Sequence, residues 1–253
     1  MNNKTYSAIS LFSGAGGLDL GFHNTGRVKS LACYEYDEIF SETLHLNLHR
    51  LDVDGQRPNI HQQDLSSAEV ITEVNKKYQG ADIVFGGPPC QSFSIMGSTS
   101  SGEKLGTKDP RGQLVYSFLD VIQSVRPLAF LFENVPNIVN IDKGAVVDNL
   151  TKAFREMGYG LWSGIICAAD FGARTFRKRF FIIGIRDATE VPAPTTTHTK
   201  DHQLDMFSTT KLPWNNSASI FEAIKEYEIS GHTLANHEKV NHTEATKERF
   251  GKL

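Results

Sequence analysis

Five short apolar runs, separated mostly by stretches with helical spacing, restrict this chain to a layered α/β fold. The runs are residues 6–12, residues 28–34, a short one near Ile60, residues 81–85 and residues 128–132. A helix begins after the first run, at Leu18 to Phe22. Ile39, Phe40, Leu44 and Leu48 fall on one helical face, and a polar amphipathic stretch follows the third run from about Ser66 to Tyr78. Asp109-Pro110 reads as an N-cap with proline at the first helical position, ahead of Leu114, Phe118, Leu119 and Ile122. Residues 146–157 also read as a helix. Alternation of this kind predicts a mainly parallel, twisted sheet. Residues 159–167 and 179–185 read as two more strands with only a basic turn between them, which predicts an antiparallel hairpin at one edge. After about Asp187 the pattern dissolves into Pro192, Pro194, a threonine run and scattered histidines, with one short helix expected within residues 214–227.

Composition narrows the class. Hydrophobic content of 40% and charged content of 22% are those of a globular protein. No apolar run approaches the roughly 18 residues a membrane span needs, and the first residues lack the apolar core of a secretory signal. A cytoplasmic protein is expected. Three cysteines without CxxC spacing argue against a disulfide framework and against a zinc site, so no metal is expected. The net charge of -3 is low for a protein that grips nucleic acid alone.

Two strand ends carry chemistry. The first run leads into Phe12-Ser13-Gly14-Ala15-Gly16-Gly17-Leu18, where glycines let the backbone turn sharply and approach a ligand. The second run ends in Glu35-Tyr36, and Glu35 lies 18 residues after Gly17, a spacing that suits ribose hydroxyls. A solvated acid at a helix start is the plain alternative for Glu35. Asp64-Leu65 follows the third run, and Asp64 either holds an adenine amino group or caps the next helix. Three residues after Gly16 stands Asp19 instead of the glycine of a G-x-G-x-x-G loop. An acid there would repel a pyrophosphate but could face the cationic end of S-adenosylmethionine.

The fourth run ends in Gly86-Gly87-Pro88-Pro89-Cys90-Gln91, followed by a Ser- and Gly-rich stretch over 92–109 that reads as a long loop. Prolines under a thiol, beside such a loop, suit a nucleophile. Cys33 and Cys167 sit within apolar strands and read as small core residues. The fifth run ends in Glu133-Asn134, which puts a partly desolvated carboxyl near Cys90, suited to donating a proton. Arg177 and Arg179 fall on the same side of an extended segment, either as a solvated basic turn or as part of the site.

In this order the pieces resemble the DNA (cytosine-5) methyltransferases. They are Phe12-x-Gly14-x-Gly16-Gly17, Glu35, Gly87-Pro88-Pro89-Cys90-Gln91, Arg111-Gly112-x-Leu114, Glu133-Asn134-Val135 and Arg177-x-Arg179. The resemblance spans about residues 7–186. It implies a Rossmann-like S-adenosylmethionine-dependent methyltransferase fold and S-adenosylmethionine as cofactor. The glycine loop, Glu35, Tyr36, Asp64, Leu65, Pro88 and Leu114 would bind that cofactor. Cys90 would attack C6 of a cytosine flipped out of double-stranded DNA, with Glu133 at N3 and Arg179 at O2. Gln91 and the Ser-rich loop would close over the DNA, and Asn134 would order the cysteine loop. Where the family often has Pro-Gln, this chain has Arg174-Thr175, which puts the support of Arg177 in doubt.

The family's target-recognition domain and its closing Asn-x-Val-like segment have no counterpart in the sequence. Residues 1–187 are therefore expected to be a catalytic domain and 188–253 a linker and partner-docking tail. The expected partner is a second subunit of a split restriction-modification methylase; an excised fragment of a longer chain is the other explanation. Cytosine methylation in RNA or tRNA, and a non-catalytic methyltransferase-like scaffold, are the competing functions. An exocyclic amino-methyltransferase would carry an aromatic residue where Cys90 stands, and a nicotinamide oxidoreductase fits least.

Overall fold

The computed structural model describes residues 4–89, 113–200 and 211–216, with the single positions 218, 222 and 224. The chain opens with β1 (Tyr6–Leu11), α1 (Gly17–His23), β2 (Val28–Glu35) and α2 (Glu38–Leu46). It continues through β3 (Asn59–Gln62), α3 (Ala68–Lys77) and β4 (Ile83–Gly86). Then come α4 (Gln113–Val125), β5 (Ala129–Asn134), α5 (Ala145–Glu156), β6 (Tyr159–Cys167) and β7 (Lys178–Arg186). Caps explain two of the helix starts. The Asp37 carboxylate accepts from the Ile39 and Phe40 N–H groups at the head of α2, and Ser67 accepts from Val70 at the head of α3.

Seven strands form one sheet in the order β3-β2-β1-β4-β5-β7-β6. The strands from β1 to β5 run parallel, and β7 runs antiparallel to both β5 and β6. The expected edge hairpin is thus present, with β6 on the edge and β7 inserted inside it. Sheet and helices match the fold class expected from the sequence.

Successive residues of the central strands feed opposite faces of the sheet, and both faces are apolar, as a parallel sheet covered on two sides requires. Val84 joins the larger core cluster with Phe118, Phe130, Phe132 and Phe154. Its neighbour Phe85 joins Ala8 and Val28 on the other face and stacks on Phe22 of α1, with ring centroids 4.3 Å apart. Each fully buried ring contributes about 1.5–3 kcal/mol of transfer free energy.

This topology decides where a site can lie. From β1 the chain order runs to β2 and β3 on one side and to β4 and β5 on the other. The reversal opens a crevice at the carboxyl ends of the strands. Because β7 is antiparallel, its first residues stand at that same rim: Glu133 pairs with Phe181 and Asn134 with Phe180.

Beyond Asp187 the chain stays attached to this rim. Thr197 N–H donates to the Asp170 carbonyl, and the two-residue strands β8 (His198–Thr199) and β9 (Leu212–Pro213) pair in parallel. The Trp214 indole N–H donates to the Asp170 carboxylate at 2.9 Å, and its ring meets the Phe176 ring edge-on.

Candidate active site

The glycine loop is held from two directions. Ser13 N–H donates to the Tyr34 carbonyl of β2 at 3.0 Å. Gly14 N–H donates to Glu35 Oε2 at 2.7 Å, while the other oxygen of Glu35 accepts from Asp37 N–H at 2.8 Å. Phe12 makes the exit from β1 at φ 55°, in the left-handed region, at a cost of about 1–2 kcal/mol. Gly14 also has φ +55°, and a Cβ there would meet nothing within 4 Å. The bare backbone therefore faces open space. Ala15 and Gly17 are exposed, Gly16 is buried, and Leu18 is half-buried.

Neighbouring strand ends add complementary groups. Tyr36 is 71% exposed beside Glu35. Asp64 is exposed, with one carboxylate oxygen accepting from Ser66 N–H at 2.8 Å. The cap of α3 is Ser67, so the capping alternative for Asp64 is settled against it. The Leu65 side chain is packed in the core, which leaves only its backbone to meet a ligand. A bare turn, an exposed aromatic ring and two carboxylates thus stand at successive strand ends of the crevice.

One expectation is overturned here. Asp19 does not face the open side of the loop: it is fully buried. Its two oxygens accept from the Ser10 hydroxyl at 2.9 Å and the Cys33 thiol at 3.2 Å. The helical turn that begins at Gly17 points this side chain back toward β1 and β2. Burial pushes the Asp19 carboxyl up, against the hydrogen bonds from Cys33 and Ser10, and burial next to Asp19 also pushes the Cys33 thiol up. Cys33 is thus a core thiol that also donates a hydrogen bond.

Across the crevice, Glu133 Oε1 lies 2.9 Å from Arg179 Nε, and the two side chains are only 22% and 23% exposed. Burial pushes the Glu133 carboxyl up, and the opposing pull of Arg179 and Arg177 does not cancel it. Arg179 also donates to the Lys178 carbonyl at 2.7 Å. Glu133, Arg177 and Arg179 line one cavity of about 530 Å³ with Gly17, Leu18 and the apolar side chains of Leu131, Phe181 and Ile183. The cavity joins the head of α1 to the heads of the two catalytic candidates on β5 and β7.

The turn after β4 is built against this pair. A Cβ at Gly87 would sit 2.7 Å from Glu133 Oε2 and would push that carboxyl aside. Asn134, nearly fully buried, donates from Nδ2 to the Pro88 carbonyl at 2.9 Å and accepts from Val135 N–H. The carbonyl it holds is two residues before Cys90. Pro88 is buried and Leu114 half-buried at the start of α4. Cys90, Gln91, the Ser-rich stretch, the expected cap at Asp109-Pro110 and Arg111-Gly112 lie outside the described residues.

Sequence reasoning missed Ser10, Asp19 and Cys33 as one buried group. The signal was a serine inside the apolar run Ala8-Ile9-Ser10-Leu11. It also missed Asp170, Phe176 and Trp214, whose contacts bridge about forty residues and leave no local pattern.

Comparison with known proteins identifies the family. A family model described as C-5 cytosine-specific DNA methylase matches residues 6–253. The type II methyltransferase M.AquIA of Picosynechococcus is 36% identical over 218 residues, which is 81% of this chain and 84% of that protein. M1.HphI of Haemophilus parahaemolyticus is 31% identical over 245 residues, 96% of this chain and 59% of the relative. The match to M.FnuDI of Fusobacterium nucleatum, at 34% identity, takes in 70% of this chain and 46% of that protein. The chain therefore spans most of one of these relatives and about half of the others. The crystal structure of the S. pombe Dnmt2 methyltransferase superposes with a TM-score of 0.56 over 73% of this chain and 51% of its own, at 20% identity, a likeness of fold.

Proposed function

The chain belongs to the C-5 cytosine-specific DNA methylase family, and from that premise we propose that it methylates C5 of cytosine in double-stranded DNA through a covalent adduct of Cys90. The observation that carries the reading is the Glu133–Arg179 pair, set in the 530 Å³ cavity beside the turn that leads to Cys90. Burial pushes this carboxyl toward its protonated form, and two arginines stand beside it.

In this reading the flipped cytosine enters the cavity, since its ring is out of reach inside the stack. The Cys90 thiolate adds to C6, and the C5–C6 π electrons move to C5. Glu133 offers its proton or a hydrogen bond to N3, so negative charge does not accumulate on the ring. Arg179 holds O2, exchanging its bond to Glu133 for one to the base, and Arg177 lies beside it; a cation near Cys90 favours the thiolate. S-adenosylmethionine, when bound, supplies an electrophilic methyl group to C5. Loss of the C5 proton then restores the double bond and expels the thiolate. Asn134 holds Pro88 and with it the approach to Cys90, and Gln91 closes over the DNA. The cofactor would be held by Phe12 to Leu18, Glu35, Tyr36, the Asp64 carboxylate with the Leu65 backbone, Pro88 and Leu114.

We further propose that residues 1–187 form the catalytic unit and that target recognition comes from a second subunit docking on residues 188–253. The net charge of -3 supports this, being low for a chain that must hold a polyanion alone. The test uses 5-fluorocytosine DNA and labelled methyl donor. A stable protein–DNA adduct should form with the unsubstituted chain and its partner, and none with Cys90→Ser. An adduct that survives Cys90→Ser refutes the mechanism. Adducts on RNA but not DNA refute the substrate, and full sequence-specific activity of this chain alone refutes the second subunit.

A further inference from the structure

A carboxylate with no exposure is expensive to bury, and it persists where donors and some consequence for the fold or the site hold it. Asp19 is such a group, and it touches neither the crevice nor the cavity described above. Its described side-chain partners are a hydroxyl and a thiol: Ser10 on β1 and Cys33 on β2. The hydroxyl leads to the glycine loop. Ser13 Oγ lies 2.8 Å from Ser10 Oγ, and Ser10 in turn donates to Asp19 Oδ2 at 2.9 Å. With an acceptor at its buried end, the chain of donors runs in one direction, from Ser13 to Ser10 to Asp19. The Cys33 thiol, besides donating to Asp19, also lies within reach of the Ser13 hydroxyl.

We infer that Asp19 is a positioning residue for cofactor binding, acting through the hydroxyls of Ser10 and Ser13 without touching the cofactor. The inference rests on the methyl-donor reading above. Ser13 is pinned inward by this relay and by its N–H bond to Tyr34, and the next residue is pinned at the tip by Glu35. The surface that the loop offers at Gly14 is bare backbone, with no side chain to adjust to a ligand. A shift of that backbone therefore passes directly into affinity. Losing the relay leaves the Ser13 hydroxyl only its longer contacts, 3.3 Å each, to the Ser10 and Tyr34 carbonyls, and loosens the face of the turn that Glu35 does not hold.

The experiment measures binding of S-adenosylhomocysteine by titration calorimetry, with thermal midpoints recorded alongside. Asp19→Asn keeps the shape but loses one acceptor, and Ser10→Ala cuts the relay. Each should weaken binding about tenfold. The double substitution should weaken it little more than either single one, since both break one path. Leu150→Ala, in the core on α5 and outside the relay, should lower the thermal midpoint while leaving affinity within about twofold of the unsubstituted chain. If Asp19→Asn does not fold, Ser10→Ala and Ser13→Ala carry the comparison. Unaltered affinity in the relay variants, fully additive losses, or a Leu150→Ala loss equal to that of Ser10→Ala would each overturn the inference. If the unsubstituted chain fails to bind S-adenosylhomocysteine, the methyl-donor reading falls first and this inference falls with it.

Discussion

The two halves of the crevice hold their acids in different ways. On the β1–β2 side, Glu35 is fixed by backbone N–H groups and Asp19 by a hydroxyl and a thiol, all of them neutral donors. On the β5–β7 side, Glu133 is paired with the charged guanidinium of Arg179, with Arg177 in the same cavity. Neutral donors fixed by strand geometry preset a shape and leave net negative charge, which suits a ligand with a cationic centre. An ion pair between two side chains can be traded for bonds to an incoming ring, which suits a step in which partners change. The first half is built to be rigid and the second to be exchangeable.

Breaking the exchangeable half should have the larger effect. Glu133→Gln keeps the size but removes the acid, and methyl transfer should fall on the order of 10²-fold while affinity for S-adenosylhomocysteine stays unchanged. Single-turnover kinetics beside calorimetry would read both; a fall in cofactor affinity equal to the fall in rate would erase the division between the halves. In the rigid half, Glu35→Gln should do the reverse. The amide turns a donor toward one of the two N–H groups it now accepts from, so cofactor affinity should drop roughly tenfold with little change in rate at saturation.

The smallest effect concerns pH. Glu133 is raised above its ordinary 4.5, so the folded chain keeps a proton that the unfolded chain releases. Its contribution is fully present below the unfolded value and is lost as pH rises through the folded one. Glu133→Gln has no proton to lose there. The thermal midpoint of the variant should therefore gain on the unsubstituted chain as pH rises from about 4 to about 8. A gap that stays flat across that window would show that the two arginines, not burial, govern the carboxyl.

Much of this was legible from residue order. The apolar runs gave the strands because central strands of a parallel sheet are buried on both faces, and glycine or acid at their ends marked the crevice. The sequence reading ended β5 at Phe132, where the apolar residues stop. The strand runs on through Glu133 and Asn134 because β7 supplies their ladder partners, a fact that lies fifty residues away. The direction of Asp19 was misread for a different reason. It sits in the first turn of a helix, where a shift of one residue turns a side chain by about 100° and decides between crevice and core. The strapping of Trp214 onto Asp170 was invisible because neither residue belongs to a periodic pattern.

The reversed direction of β7 has a consequence for how such a scaffold can vary. Its ladder with β5 and β6 fixes register from Lys178 to Arg186, while residues 169–176 of the turn lie outside that ladder at the crevice rim, held there by Thr197 and Trp214. Insertions or deletions in that turn would change the reach of the rim beside the cavity without slipping a single strand pair and without moving Arg179, which stands inside the ladder. Lengthening the turn at the opposite rim, between α5 and β6, would leave the arginines where they are. A designer wishing to retune contact with the substrate has one short stretch to rewrite and a sheet that need not be touched.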